Sequence, residues 1–327
     1  MENEKVEPVR IQRQGIIMTK TINRTNYFLV FIFFFIVFSS SVNSEEKSTS
    51  YKPFILANTV KISLNEATTQ VKDKLSKAGF TIVGEFSPYQ NTTLLIITND
   101  VLKNVASQSY LGGFGVAQRV SLTQVNGEVQ ISYTNPIYMA HVYRMKQDLK
   151  NIAAQLATAL GMKKAYGPET GLAKADLRKY QYKWLMPHFS DSIDLASYSS
   201  QEIALKKINA LFNKGQSGVN KIYQIDLPNK EETIIGVNMT GAKGNDCSGD
   251  EYIMSRIDFK EIKSSGHLPY EIVISKGKVV TLPAEFRIAI NFPDLSMMGD
   301  NSFMSIMCAP EAIQAALTAA VGGELAD

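Results

Sequence analysis

Residues 114–136 read FGVAQRVSLTQVNGEVQISYTNP, and the centre of that stretch decides the fold class. Asn126-Gly127 suits a two-residue hairpin turn, because both turn positions take positive φ. The flanks, 116–124 and 128–133, alternate and are rich in β-branched residues, so they read as paired antiparallel strands. Asn135-Pro136 closes the hairpin, since proline cannot donate to a ladder.

Upstream, 55–62 alternates as a strand. Ser63-Leu64-Asn65-Glu66 is a capping box, and Leu64, Ala67, Val71, Leu75 and Ala78 follow at helical spacing. Gly79 stops that helix. Residues 80–86 and 94–97 read as strands and 100–107 as a short helix. Gly112-Gly113-Phe114-Gly115 precedes a strand, whereas a phosphate cradle precedes a helix, so this run reads as a turn. Downstream, Val142, Met145, Leu149, Ile152, Leu156 and Leu160 predict one long amphipathic helix over 137–160.

The second half repeats this order. Ser199-Ser200-Gln201-Glu202 is a second capping box, followed by an apolar stripe through Ala204, Ile208, Leu211 and Phe212 and by Gly215. Strands are predicted at 221–227 and 233–239, and a short helix at 253–262. A second hairpin is expected from 270–275 and 285–292, ending at Pro293, before a closing helix from Pro310 to Gly322. The expected class is therefore α+β: two tandem two-layer α/β units of similar topology, an internal duplication preceded by a signal peptide. The divisions are 1–44, signal peptide or N-terminal anchor; 52–160, first unit; 161–184, linker and interface strand; and 190–324, a second, elaborated unit. Within the linker, Tyr180, Tyr182 and Trp184 would share one face of a strand, as an interface or an aromatic wall.

The N-terminus carries YFLVFIFFFIVF at 27–38 behind Lys20 and Arg24, with small polar residues up to Ser44. That is the pattern of a secretory signal. The product would be periplasmic or secreted; the alternative is an inner-membrane protein anchored by 27–44, its membrane contact confined to that uncleaved segment. Translation starts at Met1 or at Met18. Of the 327 residues, 34 are basic and 31 acidic. Without the leader the chain is nearly neutral, which argues against nucleic acid as a partner.

Residues 114–136, with the elements before them, resemble the bacterial domain-of-unknown-function family 302. The second half, through GHLPYEIVI at 266–274 and FRIAINFPDLSM at 286–297, resembles the C-terminal half of longer exported members. The resemblance implies a two-layer α/β fold that dimerises in single-unit members. It implies no activity and no catalytic residue.

Chemical signals are sparse. No nucleophile elbow or P-loop occurs, and His141, His188 and His267 lack metal-ligand spacing. No cofactor is expected. The acidic loop Asp246-Cys247-Ser248-Gly249-Asp250-Glu251 reads as solvated, with calcium as its functional alternative. Cys247 and Cys308 are either a disulfide or buried thiols. Arg287 interrupts an apolar run and must be paired or face a cavity, and Glu271 is its expected partner. The ligand-binding candidates are therefore His267, Tyr270, Glu271, Arg287 and Trp184. The leading function is a non-catalytic protein of the bacterial envelope that binds a small molecule or an envelope protein, at the second unit or the unit junction. It would be a monomer of pseudo-dimeric units or a homodimer. The rivals are a thiol- or His-dependent enzyme using His267, Glu271 and Cys308, and a structural envelope protein.

Overall fold

The computed structural model describes residues 49–215, 218–241 and 246–325; the leader or anchor expected at 1–44 lies outside them. Short strand β1 (Ser50–Tyr51) precedes the first half: β2 (Phe54–Val60), α1 (Leu64–Lys77), β3 (Thr81–Phe86), β4 (Thr92–Thr98), α2 (Asp100–Ser107), β5 (Gln118–Val125), β6 (Glu128–Thr134), α3 (Pro136–Val142) and α4 (Lys150–Leu160). β7 (Lys164–Tyr166), β8 (Leu172–Ala173) and α5 (Lys174–Arg178) lie in the connection. The second half follows: β9 (Ile193–Ser197), α6 (Gln201–Lys214), β10 (Val219–Asp226), β11 (Glu232–Met239), α7 (Asp250–Ile257), β12 (Tyr270–Ser275), β13 (Lys278–Thr281), α8 (Ala284–Asn291) and α9 (Ala309–Ala320). The fold is mixed α+β. No helix among the described residues is long and apolar enough to cross a membrane.

The two main sheets are antiparallel throughout, ordered β3-β4-β5-β6-β2-β7 and β10-β11-β12-β13-β9. Five strands of each therefore run in the same order. Asn126 and Gly127 turn the first hairpin with φ of 51° and 81°, as expected. The second hairpin differs from its prediction. Its return strand is β13, reached through Lys276 and Gly277 at φ 53° and 86°, while Phe286 and its neighbours form helix α8. A continuous apolar run buried on all sides has no period that separates strand from helix. Pro283, not Pro293, thus stands where Pro136 stands in the first half.

Three further expectations are corrected. The helix over 137–160 is two helices, broken where Arg144 and Leu149 take positive φ; the Arg178 guanidinium donates to the carbonyls of Arg144 and Met145 at the break. Ser200 rather than Ser199 caps α6, accepting from Ile203 N at 3.2 Å. Gln201 instead reaches inward to Thr233 Oγ1 and the Ile274 carbonyl. The second short helix is α7, which starts and ends earlier than 253–262. The first capping serine is as predicted: Ser63 Oγ accepts from Glu66 N.

Helices α1 and α4 cover one face of the first sheet, and α6 and α9 cover the second. The remaining faces meet. Alternation along β5 sends Val120 and Leu122 toward the helices and Arg119, Ser121 and Thr123 toward the other half, where all are buried. The contact is reciprocal. A 3-10 turn at Gly112–Gly115 packs on β11 and β12, and another at Ser265–His267 packs on β4, β5 and β6. A Cβ on Gly113 would lie 3.1 Å from Val273 Cγ2, so this Gly run serves close approach of backbone to sheet. One continuous apolar core runs through both halves, and Lys47–Asp327 forms a single compact unit.

Candidate functional site

Where the sheets meet, five charged or phenolic side chains converge. Arg119 from β5 pairs with Glu271 from β12. The other Glu271 oxygen lies 3.4 Å from Arg287 Nη2 on α8. Arg287 also donates to Tyr143 Oη at 2.6 Å and to the carbonyls of His267 and Pro269 at 2.8 and 3.0 Å. Tyr223 Oη donates to Glu271 at 3.3 Å. Every member is between 0 and 3% exposed. Burial, and then the neighbouring Arg287 charge, lowers the Arg119 pKa; burial pushes the Tyr223 hydroxyl up to about 12.

His267 lies beside this cluster, fully buried, with Nε2 3.1 Å from Tyr270 Oη. Burial, with Arg287 and Arg119 adding repulsion, drives its pKa well below that of free histidine, so the ring is neutral. The expected Arg287–Glu271 pair is present, but Arg287 lies on a helix, not on the hairpin strand that suggested it. The partner missed was Arg119. Its signal was the one that exposed Arg287: a lone charge inside an apolar run, here FGVAQRVSL at 114–122. Sealed from solvent and bonded to one another, these groups join the two halves; they do not floor an open pocket.

The other candidates lie elsewhere. Cys247 and Cys308 form a disulfide with Cα atoms 5.8 Å apart, so Cys308 offers no thiol nucleophile in this state. Asp250 of the acidic loop is buried and accepts from Met239 N at 3.0 Å. Burial raises its pKa to about 8. Sealed from solvent and turned to the Met239 N–H, this carboxyl does not stand on the surface of the acidic loop. Asp258 is likewise raised to about 7 by burial, opposed by bonds from Ser264 N. Among the described residues, no group of three or more His, Cys, Asp or Glu could hold a metal ion. His141 sits in the last turn of α3 with neither ring nitrogen partnered.

Residues 180–184 are not a strand, because no neighbouring strand is there to pair with them. Tyr180 and Tyr182 turn inward, bonding the carbonyls of Ala289 and Leu295 and packing on Phe286 and Phe303. Trp184 does the opposite: it is 84% exposed, and Leu185 after it is 77% exposed. This tip stands between two open clefts. One, of about 620 Å³, runs between Tyr180–Lys183 and Pro293–Met297. The other, of about 680 Å³, includes Leu185, His188, Met307 and Pro310.

Comparison with known proteins adds one neighbour. The crystal structure of an uncharacterized conserved protein DUF302 from Bacillus stearothermophilus is similar over 32% of this chain and 95% of that chain, at 20% identity and a TM-score of 0.29. It is a member of the family that residues 114–136 resemble. No family model matches the chain, and no curated protein matches it.

Proposed function

We propose that this chain is an exported, non-catalytic binding protein of the bacterial envelope that docks a protein partner through the Trp184-Leu185 tip. The observation that carries the reading is the exposure of the sole tryptophan between two clefts. Side chains of this kind act as anchors in partner pockets, and exposed apolar surface without a packing role marks an interaction site. The leader pattern at 27–38 and the disulfide both suit an oxidising compartment.

The two halves are, in this reading, an internal duplication: five strands run in the same order, and a short turn from each packs on the sheet of the other. The fused pair makes an intramolecular pseudo-dimer, and the buried Arg119–Glu271–Arg287 cluster is its interlock. An enzyme using His267 and Glu271 is disfavoured because both are sealed from solvent.

The test is a photo-crosslinking residue placed at Trp184 in the producing cell, with Glu202 on exposed α6 as control. A discrete adduct at position 184 and none at 202 is expected. Identical patterns at both positions, or none at either, would reject the docking surface.

A further inference from the structure

We propose that the loop over residues 297–307 binds one soft monovalent cation, Cu(I) or Ag(I), on the thioethers of Met297, Met304 and Met307. This goes beyond partner docking and does not depend on it.

Four of the chain's 12 methionines fall between Ser296 and Cys308. All four are exposed: Met297 42%, Met298 74%, Met304 54% and Met307 70%. Thioethers ordinarily fill cores, so a cluster held in water calls for a role other than packing. The loop that carries them is tied down. Ser296 bridges Ser302, Phe303 N donates to the Ser296 carbonyl at 2.9 Å, and Met304 N donates to the Met297 carbonyl at 3.2 Å. Ser305 Oγ donates to the Ser302 carbonyl at 2.7 Å. The disulfide at Cys308 anchors the end of the loop.

This lacing brings the backbones of the three residues together within one small loop. The Met304–Met297 bond makes those residues neighbours across the loop. Met307 follows Met304 by three residues in a 3-10 turn, where side chains three apart eclipse. Flexible thioether arms can then converge on one ion. The loop's own sequence does not oppose a cation: residues 288–327 contain no Lys or Arg, and Asp300 lies within the loop, while in the cleft beside Met297 Lys179 and Lys183 are matched by Asp176 and Asp294. Thioethers select soft cations and are poor ligands for Zn²⁺ or Ca²⁺. They also carry no proton in the accessible range, so binding should not weaken in acid as it does at imidazole or thiolate sites.

The experiment uses the full chain with its disulfide intact, methionine methyls labelled with carbon-13, titrated with silver nitrate in chloride-free buffer at pH 7 and pH 5. Methyl signals of Met297, Met304 and Met307 should shift together, saturate at one equivalent, and keep their midpoint at pH 5. Met304→Leu and Met307→Leu should each weaken binding about tenfold or more. Leucine keeps the surface apolar, so crosslinking from position 184 survives in these variants, and the two proposals can fail separately. Shifts scattered over the other methionines, or leucine variants that bind as tightly as the parent, overturn the site. A midpoint that weakens markedly at pH 5 also overturns it, because thioether ligands have no proton to take up in that range.

Discussion

Replacing Glu271 by Gln should strip the buried interlock of its only carboxylate without changing its shape. Two guanidiniums, Arg119 and Arg287, then face each other in a site from which water is excluded. Breaking a buried ion pair by removing one partner costs about 3–5 kcal/mol, because the remaining charge stays desolvated. Here both remaining charges have the same sign, so the upper half of that range applies, about 4–5 kcal/mol. For a compact unit of this size the unfolding entropy is roughly 0.6 kcal/mol per degree, so the melting temperature should fall by about 7–8 °C. The check is urea denaturation of the parent, Glu271→Gln, Arg287→Met and the triple variant Arg119→Met/Glu271→Leu/Arg287→Met. Removing all three charges should recover most of the loss, since an apolar trio avoids the desolvation cost. A Glu271→Gln loss below about 1 kcal/mol would mean that the charges are not held as described. A triple variant no better than the single would show that the polar contacts to Tyr143 and Tyr223 carry the stability.

Other consequences follow from the same physics. Asp250 has a folded pKa of about 8 against an ordinary value of 3.8, so its contribution to stability is full in acid and is lost as pH rises through about 8. Asp250→Asn should flatten that slope, worth up to about 5 kcal/mol, in urea midpoints taken from pH 4 to 9; parallel profiles for parent and variant would refute it. The Cys247–Cys308 bond closes a separation of 61 residues, so the double serine variant should lose about 4 kcal/mol, and a loss under 1 kcal/mol would count against the crosslink. Trp184→Ala should leave the melting temperature within about 1 °C of the parent while removing the crosslink-competent anchor, and a large destabilisation would show that the indole is packed.

What could be read in advance was local. Asn126-Gly127, Ser63 and the strands at 92–98 and 118–134 were legible because turn chemistry, capping and alternation act within a few residues. Arg287 was legible as a charge in an apolar run. The misses were tertiary. Phe286 to Ile290 has no period, since α8 is buried on every side. Residues 180–184 alternate like a strand, but no edge lies beside them, so Tyr180 and Tyr182 turn to carbonyls of the α8 region instead. Nothing local says that the polar face of β5, which alternation assigns to solvent, is covered by the other half.

That covered face also explains why two similar halves need not be interchangeable. The turns set the correspondence: Val125 and Glu128 flank the first, Ser275 and Lys278 the second. Counting back along the strands, Ser121 matches Glu271, and Pro269 matches Arg119. A symmetric pair of second halves would offer Glu271 a proline where the arginine should be. A symmetric pair of first halves would bury Arg119 with no carboxylate at the matching position. Only the mixed pair sets Arg119 against Glu271. The ion pair thus favours association of unlike halves within one chain over association of like halves between chains, because each wrong pairing leaves a desolvated charge without its partner.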